Sequence, residues 1–231
     1  MSDGFFQKRE EGSSREDDII TNIHVMLDIE TMGVKVGAPI ITVGAVLFDP
    51  HAQDTVQALE NRGFLARIDI EDAVKHSNGV DGGTLKWWLS QEDAAIKALV
   101  EGEETYMTKE AMLEFGQYCK ARWPKGDDLF FAGHSQYPIA CQVWAKSPDF
   151  DCKIMEHVCN LLGEQFPFRF YEWRCVRTLQ DLAWPDGPDA RPTFKFGTAH
   201  DARADAVNQA LMVQAGYKEL GLSTAVTTRN F

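Results

Sequence analysis

Asp28 and Glu30 stand two residues apart at the end of the apolar run His24-Val25-Met26-Leu27. In an extended strand that interval turns both side chains to one face, roughly 7 Å apart along the chain. An isolated Asp-x-Glu is more often an acidic solvent face than a site, but the residues before this one predict a buried strand. A carboxylate taken out of water needs a cation or hydrogen-bond donors, so shared ligation of a metal is the chemistry this pair could do. His200 and Asp205 cannot project from one face of a continuous helix, because five steps rotate by about 140°. His200 is therefore expected on a loop, with Asp201 or a neighbour capping a helix and Asp205 in its first turn, so that both converge beside the sheet. Taken alone, that pair reads as a cap and a surface histidine. Asp151, in Ser147-Pro148-Asp149-Phe150-Asp151, can hold a carboxylate where a further helix starts. Asp149 competes for the role, and N-terminal capping would explain either residue. Phe150 and Ile154 favour Asp151, since apolar neighbours turn toward the sheet.

The elements that must position these residues are legible from periodicity. His24 to Leu27 and Ile40 to Phe48 predict two buried strands, the second ended by Asp49-Pro50, and Phe64 to Ile68 predicts a third. Thr84 is expected to cap a helix carrying Leu85, Trp88, Leu89 and Ile96 at helical spacing. A second helix is expected from Thr108 to about Arg122, with Met112, Phe115 and Cys119 on one stripe. Beyond Pro124-Lys125-Gly126, the segments Leu129 to Ala132 and Cys141 to Ala145 both read as short strands. Asp149 is expected to cap a helix running through Leu162 and ended by Gly163, and Tyr171 to Val176 is a further strand candidate. A Pro- and Gly-rich loop from Pro185 to Gly197 precedes a last helix over about Ala202 to Leu220. Thr31-Met32-Gly33 forms a turn whose backbone could approach a ligand closely. Three strands followed by alternating helices and strands imply a mixed sheet with helices packed against it.

Composition bounds the rest. A chain of 231 residues suits one core, with residues 1–20 as a tail, 21–222 as the domain and 223–231 as a C-terminal tail. No run approaches the roughly 20 apolar residues of a membrane span, and charges interrupt any secretory signal at the start, so a cytoplasmic protein with no membrane partner is expected. Five cysteines without a Cys-x-x-Cys pair argue against a disulfide framework or a zinc knuckle. A net charge of −12 is the opposite of what a protein coating long nucleic acid would carry. A cleft of carboxylates can still hold a phosphodiester where divalent cations reverse the local field. His24, His51, His76, His134 and His157 have no carboxylate partner at a telling interval and read as structural or exposed.

Asp28-Ile29-Glu30-Thr31, Phe150-Asp151 and His200 with Asp205 together resemble the three motifs of the DEDDh, or DnaQ-like, 3′-5′ exonuclease superfamily. Val25 to Phe48, Trp87-Trp88 with Gln91, Val143 to Asp151, and Val176 to Leu179 are similar to the small phage and bacterial members, of exonuclease VIII-like and mycobacterial exoribonuclease type. The second motif departs from relatives: Ala145-Lys146-Ser147-Pro148-Asp149 stands where Asn and Gly often precede the motif. A rival alignment on Gly133 to Tyr137 would put Tyr137 in place of an acid; rejecting it leaves an insertion over 123–140. The resemblance implies an α/β, ribonuclease H-like fold, a mixed five-stranded sheet flanked by helices. It implies two Mg²⁺ or Mn²⁺ ions, with Asp28 shared between them, Glu30 and Asp205 completing one site and Asp151 supporting the other. His200 becomes the general base. Glu30 and the backbone of Thr31, Met32 and Gly33 would meet the 3′-hydroxyl, with Met32 as a wedge. Trp87, Trp88 and Phe150 would offer stacking surfaces, and Arg177 would meet a phosphate. The implied substrates are single-stranded DNA or RNA 3′ ends in a bacterial or phage-infected cytoplasm. Oligomeric state stays open, a homodimer included. The alternative is a catalytically weak or inactive nuclease-like module that binds chain ends or a protein partner.

Overall fold

The computed structural model describes residues 23–101, 105–121 and 142–223. The expected N-terminal tail, the strand at Leu129 to Ala132, the 123–140 insertion with its rival motif, His134, Cys141, and the C-terminal tail beyond Ser223 lie outside these residues. Strands β1 (His24–Thr31) and β2 (Ile40–Phe48) are apolar on both faces and pair antiparallel, with Asp28 opposite Gly44. Strand β3 (Gly63–Arg67) extends the sheet antiparallel beyond β2, while β4 (Val143–Ala145) and β5 (Trp173–Cys175) extend it in parallel on the other side of β1. The order is β3-β2-β1-β4-β5, a mixed five-stranded sheet with β1 at its centre.

Strand alternation divides the core in two. Val25, Leu27 and Ile29 of β1 point with Ile41, Val43 and Ala45 of β2 to one side, where they meet Met112, Phe115 and Cys119 of α5 (Thr108–Ala121) and Ile154 and Val158 of α6 (Asp151–Leu161). Met26, Val46 and Phe48 point to the other side, against Ala206, Val207, Ala210 and Leu211 of the last helix, α8 (Ala202–Glu219). Asp28 and Glu30 continue the Met26 parity, so the fold presents them on the α8 side of the sheet. That helix can lie so close because Gly44 carries no side chain: a Cβ there would sit 2.1 Å from the carbonyl carbon of Ala202.

The remaining helices are α1 (Val56–Glu60), α2 (Ile70–Lys75), α3 (Gly82–Trp88), α4 (Asp93–Val100) and α7 (Val176–Ala183). The expected helix across Leu85 to Ile96 is two helices. Asp81, not Thr84, caps the first, its carboxylate accepting from the Thr84 N–H at 2.8 Å. Leu85 and Leu89 are correspondingly exposed. Asp149 does not cap α6, which starts at Asp151 with no side-chain cap. Tyr171 and Glu172 form a single 3₁₀ turn before β5, and Val176 opens α7. The histidine reading also needs a correction, since His76 Nδ1 lies 3.4 Å from Asp72 Oδ2, four residues back on the same turn of chain. His24 is buried beside Phe48 and Trp144 and accepts from Trp144 Nε1 at 2.7 Å; burial pushes its pKa down to about 3.

Candidate active site

Three separate pieces of chain bring carboxylates to one cleft. The first is the even-numbered face of β1, carrying Asp28 and Glu30. The second is the start of α6, where Asp151 accepts the Ile29 N–H at 3.2 Å through Oδ1 and so is tied to β1 itself. The third is the start of α8. Asp201 caps it by accepting from the Ala204 N–H at 2.9 Å, which leaves Asp205 in the first turn. His200 precedes the cap with φ 63°, a left-handed conformation unusual for a residue with a side chain. The price of that backbone geometry is offset by local contacts: the His200 N–H donates to Asp205 Oδ2 at 3.2 Å, and the Trp87 and Trp88 rings stand edge-on to the imidazole at 4.9 and 5.8 Å.

The resulting cleft, about 570 Å³ in volume, is lined by Asp28, Glu30, Asp151, His200 and Asp205. Ligand atoms of Glu30, His200 and Asp205 all lie within 4.8 Å of one another, with His200 Nδ1 3.9 Å from Glu30 Oε1. So many acids resist ionising together. Burial pushes the Asp28 carboxyl well up, and Asp151, Glu30 and Asp205 push it further, against a hydrogen bond from Gln209. Burial and then Asp205 and Asp151 raise Glu30 to about 8. Asp151 is raised to about 7 by burial, although backbone N–H groups and Arg177 pull it the other way. Asp205 is raised by burial, against the pull of the His200 N–H, the imidazole and Lys146. Hard carboxylate oxygens crowded together are the donor set that suits Mg²⁺ or Mn²⁺, and a divalent cation would favour their ionised forms.

The structure places the other candidate residues unevenly. Phe150 and Arg177 line the cleft, the Arg177 guanidinium donating to Ser147 Oγ. Thr31, Met32, Gly33 and Trp88 do not line it. Met32 is buried, in one core cluster with Ile29, Ile40 and Trp88. Thr31 is buried and its hydroxyl donates to the Gly33 carbonyl at 2.6 Å, while Gly33 borders a separate cavity of about 180 Å³. Trp88 is 3% exposed, with its indole N–H given to the Thr31 carbonyl at 3.0 Å; its neighbour Trp87, 43% exposed, is the one that offers a surface. Lys146, Gln180, Asn208, Gln209 and Met212 also line the cleft and were not singled out from the sequence. Helical spacing from Asp205 held the signal for three of them, since positions three, four and seven further on return to its face.

Residues 23–217 match the family described as the 3′-5′ exoribonuclease Rv2179c-like domain. The exodeoxyribonuclease of Enterobacteria phage T4 is 24% identical over 223 residues, spanning 87% of this chain and 92% of the phage protein. Among solved structures, the nuclease domain of 3′hExo, a DEDDh family member bound to rAMP, superposes with a TM-score of 0.54 at 13% identity, over 91% of this chain and 98% of that one. A full-length 3′-exonuclease gives a TM-score of 0.54 at 13% identity, over 87% of this chain and 84% of its own. Cell-death related nuclease 4 gives 0.52 at 14% identity over 87% of this chain, which spans 64% of that protein's length. At such identities the structural likeness speaks for the ribonuclease H-like fold, which the sheet order bears out.

Proposed function

Because this chain belongs to the Rv2179c-like 3′-5′ exoribonuclease family and is a 3′-5′ exonuclease of DEDDh type, we propose that it releases nucleotides from single-stranded 3′ ends by hydrolysis assisted by two divalent cations. The observation that carries this reading is the convergence of Asp28, Glu30, Asp151, Asp205 and His200 on one cleft from three distant segments. Two Mg²⁺ or Mn²⁺ ions held by the four carboxylates would stabilise charge on the entering and leaving oxygens. His200 takes the proton of the attacking water, and the Glu30 carboxylate, 3.9 Å from Nδ1, stabilises the imidazolium that forms. The water oxygen bonds to phosphorus, the bond to the 3′ oxygen of the preceding nucleotide breaks, and a nucleoside 5′-monophosphate leaves with a new 3′ end behind it.

Phe150 and the exposed Trp87 are suited to stacking on bases, and Lys146 and Arg177 to backbone phosphates. Residues 21–222 are the catalytic unit in this reading. The phage relative supports a role in the cytoplasm of a bacterial or infected cell, and no described helix is long and apolar enough to cross a membrane. The family is named for RNA and the phage relative for DNA, so the substrate test needs both. End-labelled single-stranded DNA and RNA of matched sequence, incubated with Mg²⁺ or Mn²⁺, should lose mononucleotides from the 3′ end, and Asp28→Ala should abolish that release. An unchanged rate in the variant would remove the assignment.

A further inference from the structure

Helix α8 continues past Asp205 to two amides, Asn208 and Gln209, on the turn that returns to the cleft. Gln209 Nε2 donates to Asp28 Oδ1 at 2.7 Å, the one side-chain hydrogen bond found for Asp28 among the described residues. The other end of the amide, Oε1, is buried and accepts from no described protein group. An unmatched buried acceptor is unfavourable, so packing alone would not favour a glutamine here.

The chemistry of the neighbours explains the choice. Asp28 is surrounded by Asp151, Glu30 and Asp205, and a group that holds it in place must donate a proton without adding charge. Lysine or arginine would compete with a divalent cation for the carboxylates. Glutamate would donate only while protonated and would add a further acid. An apolar side chain would leave the Asp28 carboxylate free to turn about its last torsion. The amide meets each requirement, and only one of its ends can face a carboxylate.

We propose that Gln209 is a positioning residue for the hydrolysis, fixing one Asp28 oxygen through its amide proton and so directing the other toward the metal-binding centre. The assignment rests on the reading of the cleft as metal-assisted, and its test separates the two. Gln209→Met keeps the length and shape of the side chain and removes the donor; Gln209→Leu also removes the donor and offers no group that could ligate a cation. Mn²⁺ binding to the full-length protein is followed by titration calorimetry after chelation, alongside steady-state release from a single-stranded oligonucleotide. The expected result for Gln209→Met is Mn²⁺ affinity weakened about 10- to 100-fold, the range seen when the partner of a metal ligand is lost. At fixed, subsaturating Mn²⁺, kcat should fall to a similar extent while KM for the oligonucleotide stays within about twofold. Gln209→Leu should lose Mn²⁺ affinity and kcat to a similar extent. Mn²⁺ affinity and kcat both at the wild-type level in a folded Gln209→Met would overturn the proposal, whatever happens to thermal stability. If Gln209→Met does not fold, wild-type Mn²⁺ affinity and kcat in Gln209→Leu overturn it. A wild-type protein that binds Mn²⁺ but releases no nucleotide would instead defeat the hydrolytic reading, leaving the calorimetric comparison to judge Gln209.

Discussion

His200 is held from all sides before any substrate arrives: its N–H by Asp205, its ring by the edges of Trp87 and Trp88, its Nδ1 near Glu30. A group so placed serves proton transfer more than metal retention. Changing His200 to Ala should lower kcat by about 10²- to 10⁴-fold, with calorimetric Mn²⁺ affinity nearly unchanged; equal losses would make it chiefly a ligand. The carboxylates around it set a second expectation. With Glu30 raised to about 8 and Asp151 to about 7, the folded, metal-free protein holds protons that the unfolded chain has released above ordinary carboxylate values. The contribution of these two acids to stability must then fall as pH rises from that ordinary range through about 8, and cation binding must reverse that loss. Thermal unfolding with chelator and with Mn²⁺ should show a larger metal-induced rise in Tm near pH 8 than near pH 5.5. A rise independent of pH would mean that these acids ionise freely without the cation. At this scale the sequence shows its acids well, because strand parity and a helix cap constrain where Asp28, Glu30 and Asp205 can point. It does not separate Trp87 from Trp88, or Met32 from a cleft residue, because neighbours on a turn or helix differ only in what packs over them. Gln209 and Asn208 carried a positional signal but no charge to draw attention to it.

At the scale of elements, the site depends on how closely α8 lies against β2. Gly44, paired with Asp28 across the sheet, faces the backbone of Ala202 and Arg203, where a Cβ would come within 2.3 Å of three backbone atoms. Backbone cannot rotate away as a side chain can, so Gly44→Ala must push the start of α8 outward, and Asp205 and Gln209 with it. The expected cost is about 1–3 kcal/mol in urea unfolding, together with a fall in turnover that persists at temperatures where the variant is fully folded. Gly116→Ala, in α5 with nothing within 4 Å of its Cβ, serves as the control and should stabilise slightly without touching turnover. Turnover preserved in a destabilised Gly44→Ala would show that the approach of α8 does not set the site. The elements that do most of this positioning were the most legible: β1 and β2 through unbroken apolar runs, α5 through its stripe, and α8 through Asp201 and length. The start of α3 was hidden because Thr84 looks like a cap while its N–H belongs to Asp81. Helices α1 and α2, of five and six residues, are too short to show a period.

For the whole molecule, the question is how a protein of net charge −12 holds a polyanion. Its surface as a whole repels the strand, so attraction has to be local. Among the described residues, the Lys and Arg side chains that line the cleft are Lys146 and Arg177, in the β4–α6 connection and at the start of α7. Each phosphate neutralised on a single strand releases counterions and contributes about 0.7 to the slope of log affinity against log salt. Two such contacts give a slope of about 1.4, shallow beside that of proteins that coat nucleic acid with many basic side chains. The logarithm of KM for a single-stranded oligonucleotide, measured against the logarithm of KCl concentration at fixed excess Mg²⁺, should therefore rise with a slope between about 1 and 2. Replacing both Lys146 and Arg177 by Ala should flatten it toward zero and raise KM most at low salt. A wild-type slope of about 4 or more would require several further phosphate contacts, and grip would then come from basic side chains beyond the cleft wall. The acidic exterior and the acidic cleft would in that case answer to different needs. With a shallow slope they answer to one: weak hold on the strand at large, and binding strength concentrated where cations bridge carboxylates to the terminal phosphodiester.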